Sequence, residues 1–152
     1  MPSHYSEAFE KLHKYNICIF AGIIFGLEDD TEESIIQRTQ YLLEQSIDCY
    51  WSPVLTPLPG TRLFERLKKE NRLLFTNFPA DWSKYTYSNP VFTPKNIEYH
   101  AYIKAVRNAY NTLYSFKNIK NKYKQSLTLT SNRDLAHIGF KTNLDSARLF
   151  QL

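Results

Sequence analysis

The sequence predicts an α/β fold in which two parallel strand–loop–helix units precede a mainly helical extension. Two strand ends carry the first part of this prediction. The apolar run Ile17-Cys18-Ile19-Phe20-Ala21-Gly22-Ile23-Ile24-Phe25-Gly26 breaks into Leu27-Glu28-Asp29-Asp30, and a helical pattern follows. One unit later, Tyr50-Trp51-Ser52-Pro53-Val54-Leu55 breaks into Thr56-Pro57-Leu58-Pro59-Gly60-Thr61, again ahead of a helical pattern. Units of this kind build parallel sheets and barrels, whose sites lie at the carboxyl ends of the strands. The second half has helical spacing and a different charge, which predicts the extension.

The elements follow in order. Residues 6–15 read as a short helix with Phe9, Leu12 and His13 on one face, and Asn16 suits its end. Residues 17–25 form a nearly continuous apolar run, as a strand buried on both faces does. Asp30 then caps a helix, with Glu33 in capping-box spacing. Ile35, Ile36, Thr39, Leu42 and Leu43 make its inward stripe as far as Ser46. Residues 48–55 are the next strand, and Pro53 places an irregularity near its end. Gly60-Thr61 opens a helix over residues 62–72, with Leu63, Phe64 and Leu67 inward. Residues 74–93 hold Pro79, Trp82, Tyr85, Tyr87, Pro90 and Phe92 without a period, and read as an aromatic excursion over the preceding elements. Thr93-Pro94 starts a helix expected to run over residues 95–124, with Ile97, Ala101, Ala105, Ala109 and Leu113 on one face. A polar stretch follows, and a last helix is expected from Asp145.

A chain of 152 residues can bury roughly 70% of its unfolded surface as one domain. Its hydrophobic content of 43% excludes a disordered chain. No apolar run reaches the ~20 residues of a membrane span. Met1-Pro2-Ser3-His4-Tyr5 lacks the basic start and apolar core of a signal peptide, so the expected location is cytoplasmic. Cys18 and Cys49 stand in no clustered motif and read as buried free thiols. Residues 1–76 hold 8 Lys and Arg against 11 Asp and Glu, and residues 77–152 hold 11 against 4. The expected division is therefore a βα segment over residues 1–76 and a basic, helical C-terminal extension over residues 77–152.

The glycines in Gly22-Ile23-Ile24-Phe25-Gly26 let a backbone or a flat ligand approach the strand, because no Cβ intrudes. The alternative is that they relieve crowding against a helix. This stretch resembles the G-x-I-x-G strand motif of radical S-adenosylmethionine enzymes. Leu55-Thr56-Pro57-Leu58-Pro59-Gly60-Thr61-Arg62-Leu63-Phe64-Glu65-Arg66-Leu67 resembles the next strand and helix of the branch with a preceding cobalamin (B12)-binding domain. Asp81-Trp82-Ser83-Lys84-Tyr85 and Pro90-Val91-Phe92-Thr93-Pro94-Lys95 resemble the segment after the barrel. The resemblance implies a partial (βα) barrel made of its late strands. It also implies that Gly22, Ile24 and Gly26 face the adenosyl group of S-adenosylmethionine, with an acid near Glu28 or Asp29 beside it and the backbone of Leu55 and Thr56 at the adenine edge. Three closely spaced cysteines that hold a [4Fe–4S] cluster in such enzymes have no counterpart here. Cluster and cobalamin are thus expected only in intact family members, and no radical chemistry is expected of this chain by itself.

Other constellations have plainer readings. Glu28, Asp29, Asp30, Glu32 and Glu33 read as a helix start with a solvated face, with a divalent-cation site as the alternative. His4, His13, His100 and His137 have no metal-ligand spacing. Lys117, Lys120, Lys122 and Lys124, among Tyr114, Phe116 and Tyr123, read as a solvated helix end rather than a nucleic-acid surface. Two further functions stay open: a non-catalytic α/β module for a partner or nucleotide, and a basic nucleic-acid-binding module. If the barrel is partial, the run from Ile17 to Phe25 has an unpaired edge. That edge would self-associate, be covered by the helix after Pro94, or pair with an N-terminal radical SAM and cobalamin portion.

Overall fold

Two short parallel strands contribute to the main core of the chain, whose residues 4–150 are described by a computed structural model. Strand β1 (Phe20–Gly22) pairs with β2 (Cys49–Trp51) in the register Phe20↔Cys49, Ala21↔Tyr50 and Gly22↔Trp51, and a bridge from Phe25 to Val54 extends it. The parallel pairing matches the expectation; the strand lengths do not. Ile24 and Gly26 lie beyond β1.

The expected burial on both faces is also corrected. Successive side chains point to opposite faces. One face carries Phe25, Tyr50 and Val54, all buried, with Ala21 and Ile23 packed beside them. The other carries Phe20, 57% exposed, Gly22, and Ile24, 43% exposed. One β1 face is therefore half of a core, and its opposite is open.

Helix α1 (His4–Lys14) precedes β1, and Asn16 follows it in the left-handed region, at φ 55°. Helix α2 (Glu32–Glu44) is capped by Thr31, not Asp30. Thr31 Oγ1 accepts from Ser34 N, and Ser34 Oγ accepts from Thr31 N. Its buried residues are Ile35, Arg38, Thr39 and Leu42, while Ile36 is exposed. Helix α3 (Arg62–Lys69) is capped by Thr61 and buries Phe64 and Leu67. A 3-10 turn at Ala80–Lys84 lies in the aromatic excursion. Phe64, Tyr85 and Val91 form a second small core there, with Leu73, Phe75 and Phe78 against it.

The second half departs most from expectation. The single helix over residues 95–124 is two helices, α4 (Tyr99–Leu113) and α5 (Phe116–Thr130). Ser115 divides them, because its Oγ accepts from Asn118 N and starts a new helix. α4 begins after Glu98, whose side chain accepts from the amides of His100 and Ala101. It packs against α2 and does not cover the edge of β1. Helix α6 (Arg133–Phe150) starts twelve residues before the expected position, at Asn132, whose Oδ1 accepts from the amides of Asp134 and Leu135.

α6 covers the outer edge of β2. Asn143 accepts from Tyr50 N at 3.2 Å and donates to Asp48 O at 2.9 Å, as a neighbouring strand would. Gly139 permits this approach, since a Cβ there would stand 3.3 Å from both Asp48 Cβ and Asp48 O. The opposite edge of the sheet is different. β1 pairs only with β2 among the described residues, and the ladder alternation turns the amide and carbonyl of Phe20 and Gly22 away from β2. The next carbonyl on that edge, of Ile24, accepts from Arg38 Nη1 at 2.9 Å. The result is a mostly helical α/β structure with a two-stranded parallel sheet. No helix among the described residues is long and apolar enough to cross a membrane.

Candidate functional site

The open face of β1 and the loop at its carboxyl end hold the residues singled out by sequence. Gly22 and Ile24 share that face, and the register puts Trp51 beside Gly22. Among the described residues, a Cβ on Gly22 would meet nothing but its chain neighbours within 4 Å. Gly26 is the opposite case. Its φ is +75°, and a Cβ there would stand 1.9 Å from the Tyr102 hydroxyl of α4. Crowding against a helix thus accounts for Gly26 and does not account for Gly22. The two glycines of the motif do different work.

The loop between them and α2 is fixed by buried charges. Asp30 Oδ2 accepts from the amides of Gly26 and Leu27, each at 2.9 Å. Asp30 Oδ1 accepts from Ser34 Oγ and pairs with Arg38. Arg38 also donates to Ser34 O, lies over the Phe25 ring at 5.8 Å, and holds the Ile24 carbonyl. Carboxylate and guanidinium each satisfy the other and several backbone groups, as burial of charge requires. Asp30 is therefore not part of a solvated acidic face. Arg38 carried no sequence signal beyond its place on a helix, and it is the functional-loop residue that sequence reasoning missed.

Glu28 is engaged elsewhere. Its carboxylate pairs with Arg66 and with Arg72, the latter at 3.0 Å. Arg72 also donates to Thr93 O, and the Lys95 amide donates to Glu28 O at 2.8 Å. Burial pushes the Glu28 carboxyl up, but the hydrogen bonds from Arg66 and Arg72 outweigh it and hold the group below its ordinary value. Glu28 ties the strand-end loop to α3 and the extension, and its side chain does not join Gly22 and Ile24. Leu55 donates its amide to Phe25 O at 2.8 Å and lies half-buried. Register places its side chain on the same face as Gly22 and Ile24. The Thr56 hydroxyl donates to Val54 O and lies 3.4 Å from Thr86 O, so it serves the backbone of the loop.

At the other end of the strands, Asp48 Oδ2 lies 3.0 Å from His13 Nε2 and accepts from Ile19 N at 2.6 Å. Lys122 is buried nearby and donates to Gln45 O at 2.6 Å. Burial pulls its ammonium down to about 8, partly offset by Asp48. The basic stretch is therefore not uniformly solvated. Cys18 is half-buried and Cys49 buried, both free. Burial, then neighbouring Cys18, pushes the Cys49 thiol up to about 12. Among the described residues, no three His, Cys, Asp or Glu side chains are grouped so as to hold a metal ion. The residues present do not fit an iron–sulfur cluster.

Residues 61–150 match the model of a domain family of unknown function, DUF4070. The chain belongs to the DUF4070 family. This DUF4070 chain is also 33% identical over 94 residues to the bacteriochlorophyllide d C-12(1)-methyltransferase of Chlorobaculum tepidum, covering 62% of the chain and 19% of that protein. It is 30% identical over 113 residues to an uncharacterized methyltransferase of Pyrococcus horikoshii, covering 74% and 24%. It is 29% identical over 112 residues to the anaerobic magnesium-protoporphyrin IX monomethyl ester cyclase of Cereibacter sphaeroides, covering 73% and 17%. The chain thus spans no more than about a quarter of the length of these relatives. No solved structure matches it.

Proposed function

We propose that the DUF4070 chain supplies part of the S-adenosylmethionine-binding wall of a radical S-adenosylmethionine, cobalamin-type methyltransferase-like assembly. The observation that carries this reading is the open face of β1. Apart from its chain neighbours, no heavy atom of the described residues lies within 4 Å of where a Cβ on Gly22 would stand, while Ile24 and Leu55 lie on the same side. That opening fits a flat nucleoside. Ile24 would cover one side of the adenine, and the bare backbone at Gly22 would let it approach. Bound S-adenosylmethionine would supply an activated sulfonium. The chain's own part is to bind and orient the adenosyl group. The loop locked by Asp30 and Arg38 keeps this wall in one shape. The partial identity to two methyltransferases and a cyclase supports the same reading. In this account residues 1–76 form the late part of a (βα) barrel and residues 77–152 its extension.

The free edge of β1 would pair with the N-terminal radical SAM and cobalamin portion of such an assembly, which would bring the cluster and the cobalamin. A groove of about 370 Å3 beside that edge, lined by Phe9 of α1, Ala21 and Ile23, and Tyr41 and Leu42 of α2, has room for side chains of an added strand. Saturation-transfer NMR tests the wall itself. S-adenosylmethionine is expected to show transfer to its adenine H2 and H8 protons from the wild-type chain and not from Gly22→Val. Equal transfer to both proteins, or none to either, contradicts the reading.

A further inference from the structure

Next to the proposed nucleoside wall lies a second recess. It holds about 340 Å3 and is lined by Trp51, Tyr85, Thr86, Tyr87, Ser88, Leu149 and Phe150. Four of these seven side chains are aromatic rings. The last residues of α6 form one wall, and the segment after the 3-10 turn forms the other. That segment is held against the chain just beyond β2, where Val54 N donates to Tyr87 O at 2.7 Å. Trp51 forms the floor. Its ring stands edge-on to Phe150 at 4.9 Å, and Phe150 stacks on Tyr114 at 5.5 Å. The floor is thus rigid, while the rims are bare: Tyr87 is 55% exposed and Leu149 57% exposed.

We infer that this recess binds one edge of a planar, uncharged ring system belonging to the molecule on which the assembly acts. Three observations lead there. The volume lies in the range of small-molecule sites, which are mostly apolar with a few polar groups. Ring-lined walls favour flat conjugated partners, by stacking and edge contacts. Among the described residues no Lys, Arg, Asp or Glu lines the recess, and its side-chain polar groups are the hydroxyls of Thr86, Ser88 and the tyrosines and the indole N–H of Trp51. Phosphates and other strongly charged ligands therefore have no counter-charge in it. Position links the recess to the wall: Trp51 is register-paired with Gly22. A ring seated against Trp51 would extend over the open face formed by Phe20, Gly22 and Ile24. The recess takes one or two rings, and the remainder of a larger ring system would face the adenosyl group. The assignment to the reacting molecule rests on the reading of the Gly22 wall; the ring binding does not.

The chain has two tryptophans, Trp51 and Trp82. In a Trp82→Phe background, Trp51 emission reports the recess alone. Protoporphyrin IX, whose macrocycle is uncharged and whose two propionates on one side can stay in solvent, is the planar probe, and oleate, a flexible chain with its carboxylate at one end, is the comparator. Protoporphyrin IX is expected to quench Trp51 saturably. Tyr87→Ala and Leu149→Glu, both at exposed positions, should each weaken it roughly three- to tenfold, the size of one ring or apolar contact. Ile36→Ser, on an exposed face of α2, should leave it unchanged, and circular dichroism should show all variants folded. Absence of quenching, equal affinity in the Tyr87 and Leu149 variants, or displacement by oleate at equal concentration overturns the inference. Saturation transfer from the Trp82→Phe chain, whose recess is intact, to S-adenosylmethionine is read in parallel. No quenching with retained adenine transfer refutes the recess alone, and quenching without adenine transfer refutes the nucleoside wall.

Discussion

Replacing Gly26 with alanine should be among the most destabilising single-methyl changes available in this chain. Two terms add. Gly26 has a φ of +75°, and an L-residue in the left-handed region costs roughly 1–2 kcal/mol. The new methyl would also lie 1.9 Å from the Tyr102 hydroxyl oxygen and 2.7 Å from Tyr102 Cζ. Tyr102 is fully buried, so its ring cannot swing into solvent, and overpacking of this sort costs roughly 1–3 kcal/mol. The sum is about 2–5 kcal/mol. Tyr102→Phe removes the nearest atom. Its hydroxyl has no hydrogen-bond partner among the described residues, so that variant alone should be neutral or slightly stabilising. The double variant should recover about 1 kcal/mol, because Cζ still crowds the methyl. Gly22→Ala is the control. Among the described residues nothing but its chain neighbours lies within 4 Å of the added methyl, and a strand backbone accepts alanine, so stability should change by less than about 1 kcal/mol. Urea unfolding followed by circular dichroism measures all four. A Gly26→Ala chain as stable as wild type, or a double variant with no coupling, would refute the division of labour between the two glycines.

Arg38→Met leaves Asp30 buried without its partner and should cost roughly 3–5 kcal/mol; Asp30→Asn in the same chain should restore part of it, as read by urea unfolding. Glu28 has a lowered carboxyl pKa, so its contribution is present above the unfolded value of 4.5 and is lost as pH falls through the folded value. Glu28→Gln should flatten that acid limb of a stability profile, and an unchanged limb contradicts the Arg66 and Arg72 pairing. Lys122 has a folded pKa of about 8 against 10.5 unfolded, so between those values the unfolded chain binds the extra proton. Stability should rise with pH from about 8 to about 10.5 through this group, and Lys122→Met should abolish that rise. Hydrogen exchange should find the amides of Ile23 and Phe25, bonded to Trp51 O and Pro53 O, far more protected than those of Phe20 and Gly22; equal protection would mean that another segment covers the edge.

The parallel strand pair and the place of Gly22 at the end of β1 were legible because apolar runs and missing side chains leave plain marks in a sequence, whereas Gly26 lies beyond the strand. The length and burial of the first strand were not, since an apolar run does not reveal whether a second layer is present to cover it. The first twelve residues of helix α6 were missed for a chemical reason. The helix's buried face consists of Ala136, Gly139, Asn143, Ser146, Ala147 and Phe150, mostly small or polar residues chosen for close approach to β2 and for serving its backbone. Hydrophobic periodicity cannot register such a face. The break between α4 and α5 hung on one hydroxyl, that of Ser115, within an otherwise continuous helical pattern. Asp30 read as a cap in a solvated acidic start and Arg38 carried no signal, because eight residues separate them and only the turn of the loop onto α2 brings them together.

The central claim is that the open face of β1 receives a nucleoside. Amide chemical-shift mapping of the isotope-labelled chain, titrated with S-adenosylmethionine, tests it most directly. The account predicts that the largest changes fall on residues 20–24 and on Leu55, with little at α5. Changes concentrated on α5, or no saturable change anywhere, would contradict it.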